Sequence, residues 1–401
     1  MPRRLARATL AAAFALLCGC SSTSSGTAGG GEAPAPVVWK FESVSWYNRY
    51  SMNSTIGPTV VGKTVLYGGT YAYQNTKASK LAAVDATTGT ARWRMEYGAA
   101  FGPMVLADGT IAVAAGDGVL GLDFASGVQR WEVPLRPRSL TAAGDVVLLA
   151  ERQTIHAIDL ASGTRRWQVT STTDPVAAGD TALFMEGQTL RAVAAASGAA
   201  RWSLELPATL AYPQSLRGDH LYLLGASSLG SVNIKSRSLE WVVPLGSAPT
   251  AGIAAADDTL YFTTQSSSGA YVFHAFDPAT QKDRWSRALD SGSRVAPIVM
   301  GPLVAMAANS SAESLLALSR GTGTVAWSAR AGSVPVQPVL EGNVLYVAGQ
   351  GPNRVYAFQA GTGAVLWSGR LWGWPMGMAV TDDGTLLVSA DNLTLYAYRT
   401  R

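Results

Sequence analysis

Cysteine is almost missing from this sequence: the two present, Cys18 and Cys20, lie within the first twenty residues. The remaining chain therefore has no thiol for a disulfide framework, a cysteine zinc cluster or nucleophilic catalysis, and must be stabilised by packing. Histidine is nearly as scarce. His156, His220 and His274 show no metal-ligand spacing and are expected to be structural. Charged residues make up only 14% of the chain, too few for long solvated helices, and no extended helical periodicity is visible. No H-E-x-x-H, G-x-S-x-G or Walker loop occurs. The basic balance is also deceptive. Removing Arg3, Arg4 and Arg7 leaves 28 basic residues against 27 acidic ones, so no nucleic-acid partner is expected.

Those three arginines open a segment with the grammar of an export signal. A short apolar run, Ala8 to Leu17, follows them and ends in Leu17-Cys18-Gly19-Cys20. The run is too short to hold a bilayer permanently and reads as a signal peptide over residues 1–19. The Arg3-Arg4 pair is only a weak sign of twin-arginine export. Leu-x-Gly-Cys resembles a bacterial lipobox, which implies that Cys20 becomes the lipidated first residue of the mature chain. Ser21 lacks the aspartate that enteric bacteria use for inner-membrane retention. Residues 20–36 then supply a Ser-, Gly- and Pro-rich tether with little to bury. The expected address is extracytoplasmic, in a bacterial envelope, with an outer-membrane position permitted if the cell has one.

What is abundant is repetition. Trp93, Trp131, Trp167, Trp202, Trp241, Trp285, Trp327 and Trp367 recur every 35 to 44 residues, the span of one four-stranded propeller blade. Eight positions before them stand Asp85, Asp123, Asp159, Ala194, Asn233, Asp277, Ser319 and Gln359. Four positions before six of them stand Gly89, Gly127, Gly163, Gly198, Gly323 and Gly363. Between these marks, Asp-Gly, Gly-Asp or Gly-Asn pairs precede apolar runs such as VVLLA and LYLLG, which are hairpin signals. Arg217-Gly218-Asp219 falls in that hairpin slot, so turn geometry accounts for it. The motif aspartates are expected to accept backbone N–H bonds within their turns. The arginines just before several tryptophans, Arg92, Arg130, Arg166, Arg201 and Arg284, are expected to guard an outer strand edge, the alternative being a rim that binds anionic partners.

The segments AVDATTGTARW, GLDFASGVQRW and AIDLASGTRRW resemble the tryptophan-docking repeat of pyrroloquinoline-quinone-type propellers, and the pattern extends over residues 37–401. The fold expected is all-β: a single propeller of four-stranded antiparallel blades. Nine repeats can be counted, or eight if SVNIKSRSLEW is an irregular insertion. The last unit stops after its third strand at LTLYAYRTR, so VVWKFES near the N-terminus is expected to complete it, with Trp39 in the tryptophan position. Such a ring needs no second copy and is expected to be monomeric.

Lipobox and propeller together resemble the lipoproteins of the outer-membrane β-barrel assembly machinery, which implies a non-enzymatic scaffold with protein partners. The repeat family also contains quinoprotein dehydrogenases. Those use a vicinal cysteine pair, a calcium site and a catalytic aspartate on a much larger chain, and the cysteines are absent here. No catalytic residue, metal or cofactor is therefore expected; the alternative is a quinone- or other ligand-binding propeller enzyme using the central channel. The candidate partner-binding patch lies where the repeat is broken. Trp46, Tyr47, Arg49 and Tyr50, Tyr71 and Tyr73 in TYAYQNTKAS, and Trp372 and Trp374 would share one face beside the ring closure. Aromatic clusters with arginine favour protein recognition; the same side chains could instead plug the channel or pack between blades.

Overall fold

The computed structural model describes residues 33–34, 36–42, 52–73, 76–250, 252–293, 295–307 and 314–400. Among these every regular element is a strand, and the strands form nine sheets. Eight sheets are continuous blades, at residues 52–97, 101–133, 139–170, 176–205, 212–244, 248–289, 298–329 and 339–370. The ninth joins residues 375–399 to strand Val37–Glu42. The protein is a nine-bladed β-propeller. SVNIKSRSLEW is no insertion: it supplies the outer two strands of blade 5, with Ser231 paired to Trp241.

Ring closure follows the expected route. Trp39 pairs with Ala397, so the N-terminal strand is the fourth strand of blade 9. A further short strand, Ala33–Pro34, runs parallel to the outer strand of blade 8, with Ala33 opposite Trp367. Pairing thus begins upstream of Val37. On the inner side, first strands of neighbouring blades meet around the ring. A Cβ built on Gly377 of blade 9 would lie 2.6 Å from the Cα of Gly57 in blade 1, whereas one on Gly57 would meet Gly377 only at 3.6 Å, so the closing joint demands glycine at 377.

The apolar core is divided rather than central. Nine clusters of buried side chains lie one at each seam between successive blades. Each strand of a sheet sends alternate residues to opposite faces, and both faces of a blade are covered by neighbours. Second and third strands consequently read as nearly continuous apolar runs, such as Val146–Glu151 with its first five residues buried.

Six seams are locked by one device. The indole Nε1 of Trp39, Trp93, Trp131, Trp167, Trp285 and Trp327 donates to a backbone carbonyl in the turn of the next blade, at 2.7–3.0 Å. The same six rings press on Gly89, Gly127, Gly163, Gly198, Gly323 and Gly363, where a Cβ would meet ring atoms at 2.6–2.8 Å. Those glycines all have φ between 70° and 73°, a left-handed conformation costly for other residues. The aspartate opening the turn acts locally: Asp85 Oδ1 accepts the Thr87 and Thr88 amides at 3.0 and 3.1 Å.

The arginines before the tryptophans do more than guard an edge. Arg92, Arg130, Arg166 and Arg284 pair with the turn aspartates seven residues earlier, Asp85, Asp123, Asp159 and Asp277. Arg166 and Arg284 also reach Asp145 and Asp258, and Arg201 holds Asp180, in the first hairpin turn of the same blade. These pairs neutralise the basic row that an anionic partner would need. Hydrogen bonding from Arg166, then from the Ser162 amide and hydroxyl, lowers the Asp159 pKa to about 2.

Two glycines separate steric docking from turn conformation. Gly163 faces Trp131, whereas a Cβ on Gly144, at φ 64°, would meet nothing within 4 Å. Gly144→Ala is expected to cost about 1 kcal/mol from backbone conformation alone. Gly163→Ala adds a clash with the indole and is expected to cost roughly 2–4 kcal/mol, the two being compared by chemical denaturation.

Candidate functional site

Consecutive strands of a blade are antiparallel, so the links from a fourth strand to the next first strand and from a second to a third open on one face. The link between blades 8 and 9 carries Trp372 and Trp374 on that face, each 53% exposed. Leu371, just before them, is buried and packs in the seam between these blades. Met376 is also exposed, and the Arg370 guanidinium stacks 4.8 Å from the centroid of the Trp372 ring.

The exposed rings stand on a fixed backbone. The Trp372 amide donates to Tyr396 Oη at 3.0 Å, and its carbonyl accepts from Asn392 Nδ2 at 2.7 Å. The Trp374 amide donates to Asp391 Oδ1 at 2.9 Å, while the Asp391 amide donates back to the Trp374 carbonyl at 2.9 Å. Between them, Gly373 approaches so closely that a Cβ would sit 2.3 Å from Asp391 Oδ1. The link is therefore stapled to the turn joining strands Thr385–Ala390 and Thr394–Arg399. Two large apolar rings held this way lose little backbone freedom on contact with a partner.

The other candidate residues divide into two groups. Tyr71 and Tyr73 do not occupy a loop: strands Thr64–Tyr73 and Thr76–Asp85 form a ten-residue ladder whose last pair is Tyr73 with Thr76. At about 3.3 Å per residue, the excess over the usual six-residue strands extends the hairpin by roughly 13 Å. It belongs to blade 1, next to blade 9, and emerges on the same face as Trp372. Ser79, farther down that hairpin, bonds Thr70 Oγ1 at 2.8 Å and the Ala99 carbonyl at 2.6 Å, tying it to the following link. Trp46, Tyr47, Arg49 and Tyr50 lie outside the described residues, as does Cys20.

Behind the patch is a group of buried tyrosines at the junction of blades 8, 9 and 1. Tyr67, Tyr346, Tyr396 and Tyr398 are each at most 1% exposed. Burial, followed by the nearness of Tyr396 and Asp391, drives the Tyr67 hydroxyl well above its ordinary pKa. Burial also raises the Asp391 pKa, against the lowering effect of the backbone bonds from Trp374 and Asn392.

Elsewhere the histidines are structural. His274 joins Asp283 and Thr264 at 2.8 and 2.9 Å and stacks on Phe262, while burial lowers the pKa of His156. His220 bonds Glu240 at 2.8 Å. Among the described residues no three His, Cys, Asp or Glu side chains converge to hold a metal.

Comparison with known families now bears on this ring. The family model described as "Outer membrane protein assembly factor BamB" matches residues 37–223, 77–266, 225–351 and 330–401. The chain belongs to the BamB family. BamB from Moraxella catarrhalis is structurally similar, with 14% identity over 87% of this chain and 99% of that one, at a TM-score of 0.54. The computationally designed protein Ika8 matches with 11% identity, covering 76% of this chain and 97% of its own, at a TM-score of 0.53. The dihydro-heme d1 dehydrogenase NirN, solved in complex with DHE, matches with 14% identity over 85% of this chain and 81% of that one, at a TM-score of 0.55. These similarities show the propeller fold. No curated protein matches the chain at a significant level. The BamB-family match covers the entire ring; Arg370, Asp391, Asn392 and Tyr396, which build the Trp372 platform, carry no motif and were not apparent from the repeat.

Because the folded-state pKa of Asp391 is raised, the fold binds this proton more tightly than the unfolded chain does, and its ionisation subtracts stability as pH rises. Asp391→Asn keeps an acceptor for the Trp374 amide without the desolvated charge. The variant is expected to melt above the parent at pH 7, with the difference vanishing below about pH 4.

Proposed function

We propose that this BamB-family protein is a non-enzymatic, lipid-anchored scaffold of the bacterial cell envelope that captures protein partners, with the assembly of outer-membrane β-barrel proteins as its specific task. The observation that carries the reading is the rigid pair Trp372 and Trp374, half-exposed on the face where the blade 1 hairpin also projects. Tryptophan and arginine are the residues most often responsible for binding energy in protein interfaces. A prearranged backbone lowers the ordering cost of using them. The family description supports the assembly role, and the resemblance of the sequence around Cys20 to a lipobox supports the anchor and an address at the outer membrane of a cell that has one.

A scaffold reading places the binding energy on the rim of one face and requires no reacting group. Trp372→Ser combined with Trp374→Ser should leave the melting temperature within about 2 °C of the parent, since exposed rings contribute little to the seams. The same variant should lose at least about tenfold in crosslinked yield of envelope assembly proteins in cells, a change of roughly 1.4 kcal/mol. Full partner capture by the double variant would overturn the assignment of the face. Dye-linked oxidation of an alcohol or sugar by the protein with quinone and calcium would overturn the non-enzymatic reading.

A further inference from the structure

One seam departs from the docking rule in a way that opens a cleft. In blade 6 the position of the docking glycine is taken by Gln281, which keeps the left-handed backbone at φ 56° but carries a side chain. At the six docked seams a Cβ in this place would stand within 2.8 Å of the indole, so Trp241 of blade 5 cannot settle on this turn. The acceptor carbonyl of the docked turns belongs to the residue after the motif aspartate; here that residue is Pro278. No bond from the Trp241 indole to Pro278 is found among the described residues. The ring packs instead against Phe276, with centroids 5.6 Å apart.

The space left is a cleft of about 450 Å³ between blades 5 and 6, bounded by Trp241, Gln281, Glu240, His220, Asp257 and Asp258. It opens beside the first and third turns of blade 6, on the face opposite Trp372. Glu240 is fixed from behind: Oε2 accepts Ser231 Oγ at 2.6 Å and pairs with His220 Nδ1 at 2.8 Å, while Oε1 has only Asn233 at 3.4 Å. Burial would raise the Glu240 pKa, but the bonds from Ser231 and His220 outweigh it and keep the group below its usual value, ionised at neutral pH. Asp257 Oδ2 pairs with Arg320 and Asp258 Oδ2 with Arg284, and Asp258 Oδ1 also accepts Thr259 Oγ1 at 3.3 Å. Neither arginine bounds the cleft, and a carboxylate retains further acceptor positions after one such bond.

We infer that this cleft is a binding site for an organic cation, a guanidinium seated between the Trp241 indole and the carboxylates of Glu240, Asp257 and Asp258. An indole face and anionic acceptors together satisfy the flat surface and the hydrogen-bond donors of that group. The site is distinct from the central channel and from the Trp372 face, so the failure of either reading leaves the other standing.

The test is calorimetric titration of the mature chain with agmatine, with acetyl-Gly-Arg-Gly-amide, and with the citrulline analogue of that peptide. The guanidinium probes are expected to bind with a dissociation constant near or below about 1 mM, and the uncharged citrulline peptide at least about tenfold more weakly. Tighter binding of the arginine peptide than of agmatine assigns the cation to a partner's side chain; the reverse order assigns it to a small molecule. Gln281→Gly separates site from scaffold, because it restores the docking turn. It should raise the melting temperature while weakening guanidinium binding by at least about tenfold, as Trp241 closes the cleft. Glu240→Gln should also weaken binding about tenfold. Guanidinium binding unchanged in Gln281→Gly, equal binding of the citrulline peptide, or no heat from either guanidinium probe up to about 10 mM would overturn the inference.

Discussion

An indole pressed on a left-handed glycine, with its N–H bonded to a carbonyl in the neighbouring blade, is the contact on which this ring depends. It combines three demands at one place. The glycine must lack a Cβ so that Trp131, for example, can approach the backbone at Gly163, and the turn must hold a positive φ that suits glycine. The carbonyl of Leu160 must face the indole, which the aspartate-anchored turn ensures by taking the Ala161 and Ser162 amides. At each of the six docked seams a tryptophan of one blade thus meets a turn of the next. Joining the termini through Trp39 and Gly89 lets the first blade obey the same rule as the interior ones.

Much of this was legible in the sequence because a repeat cannot bury its apolar faces alone and so writes the same solution many times. The spacing of tryptophans, the Asp-to-Gly turns and the missing strand after LTLYAYRTR led to nine blades and to closure by Val37–Glu42. The hairpin aspartates and Arg217-Gly218-Asp219 likewise proved to be turn chemistry, Gly218 taking φ 57° between two strands. The candidate patch was less readable. Trp372 and Trp374 stand out by composition, but what makes them rigid is a tertiary staple to Asp391, Asn392 and Tyr396. Those polar residues look ordinary in a linear pattern. TYAYQNTKAS, with Gln, Asn and Lys beside its aromatics, suggests a loop, yet Thr70 and Ser79 pair within the ladder and extend the hairpin.

The places where the rule lapses are informative in another sense. Trp202 and Trp241 face turns whose glycine position holds Arg237 or Gln281, both at positive φ. Trp367 instead stacks on Tyr398, with ring centroids 5.4 Å apart, because the fourth strand of blade 9 is the N-terminal Val37–Glu42 and no turn joins it to the third. Blade 5 is thus flanked by two seams without the indole lock. The aromatic platform of Trp372 stands beside the third. Departure from the repeat frees side chains from the work of closing the ring, and both surfaces with chemistry to offer lie at such departures.

The central claim is that docked seams, and not apolar burial alone, set the stability of the ring. Hydrogen exchange followed by mass spectrometry reads this directly, since each turn amide opens with its own seam. The turns at 85–89, 123–127, 159–163, 194–198, 319–323 and 359–363 should exchange slowly and together, while those at 233–237 and 277–281 exchange at least about tenfold faster. Equal protection of all eight turns would contradict the account.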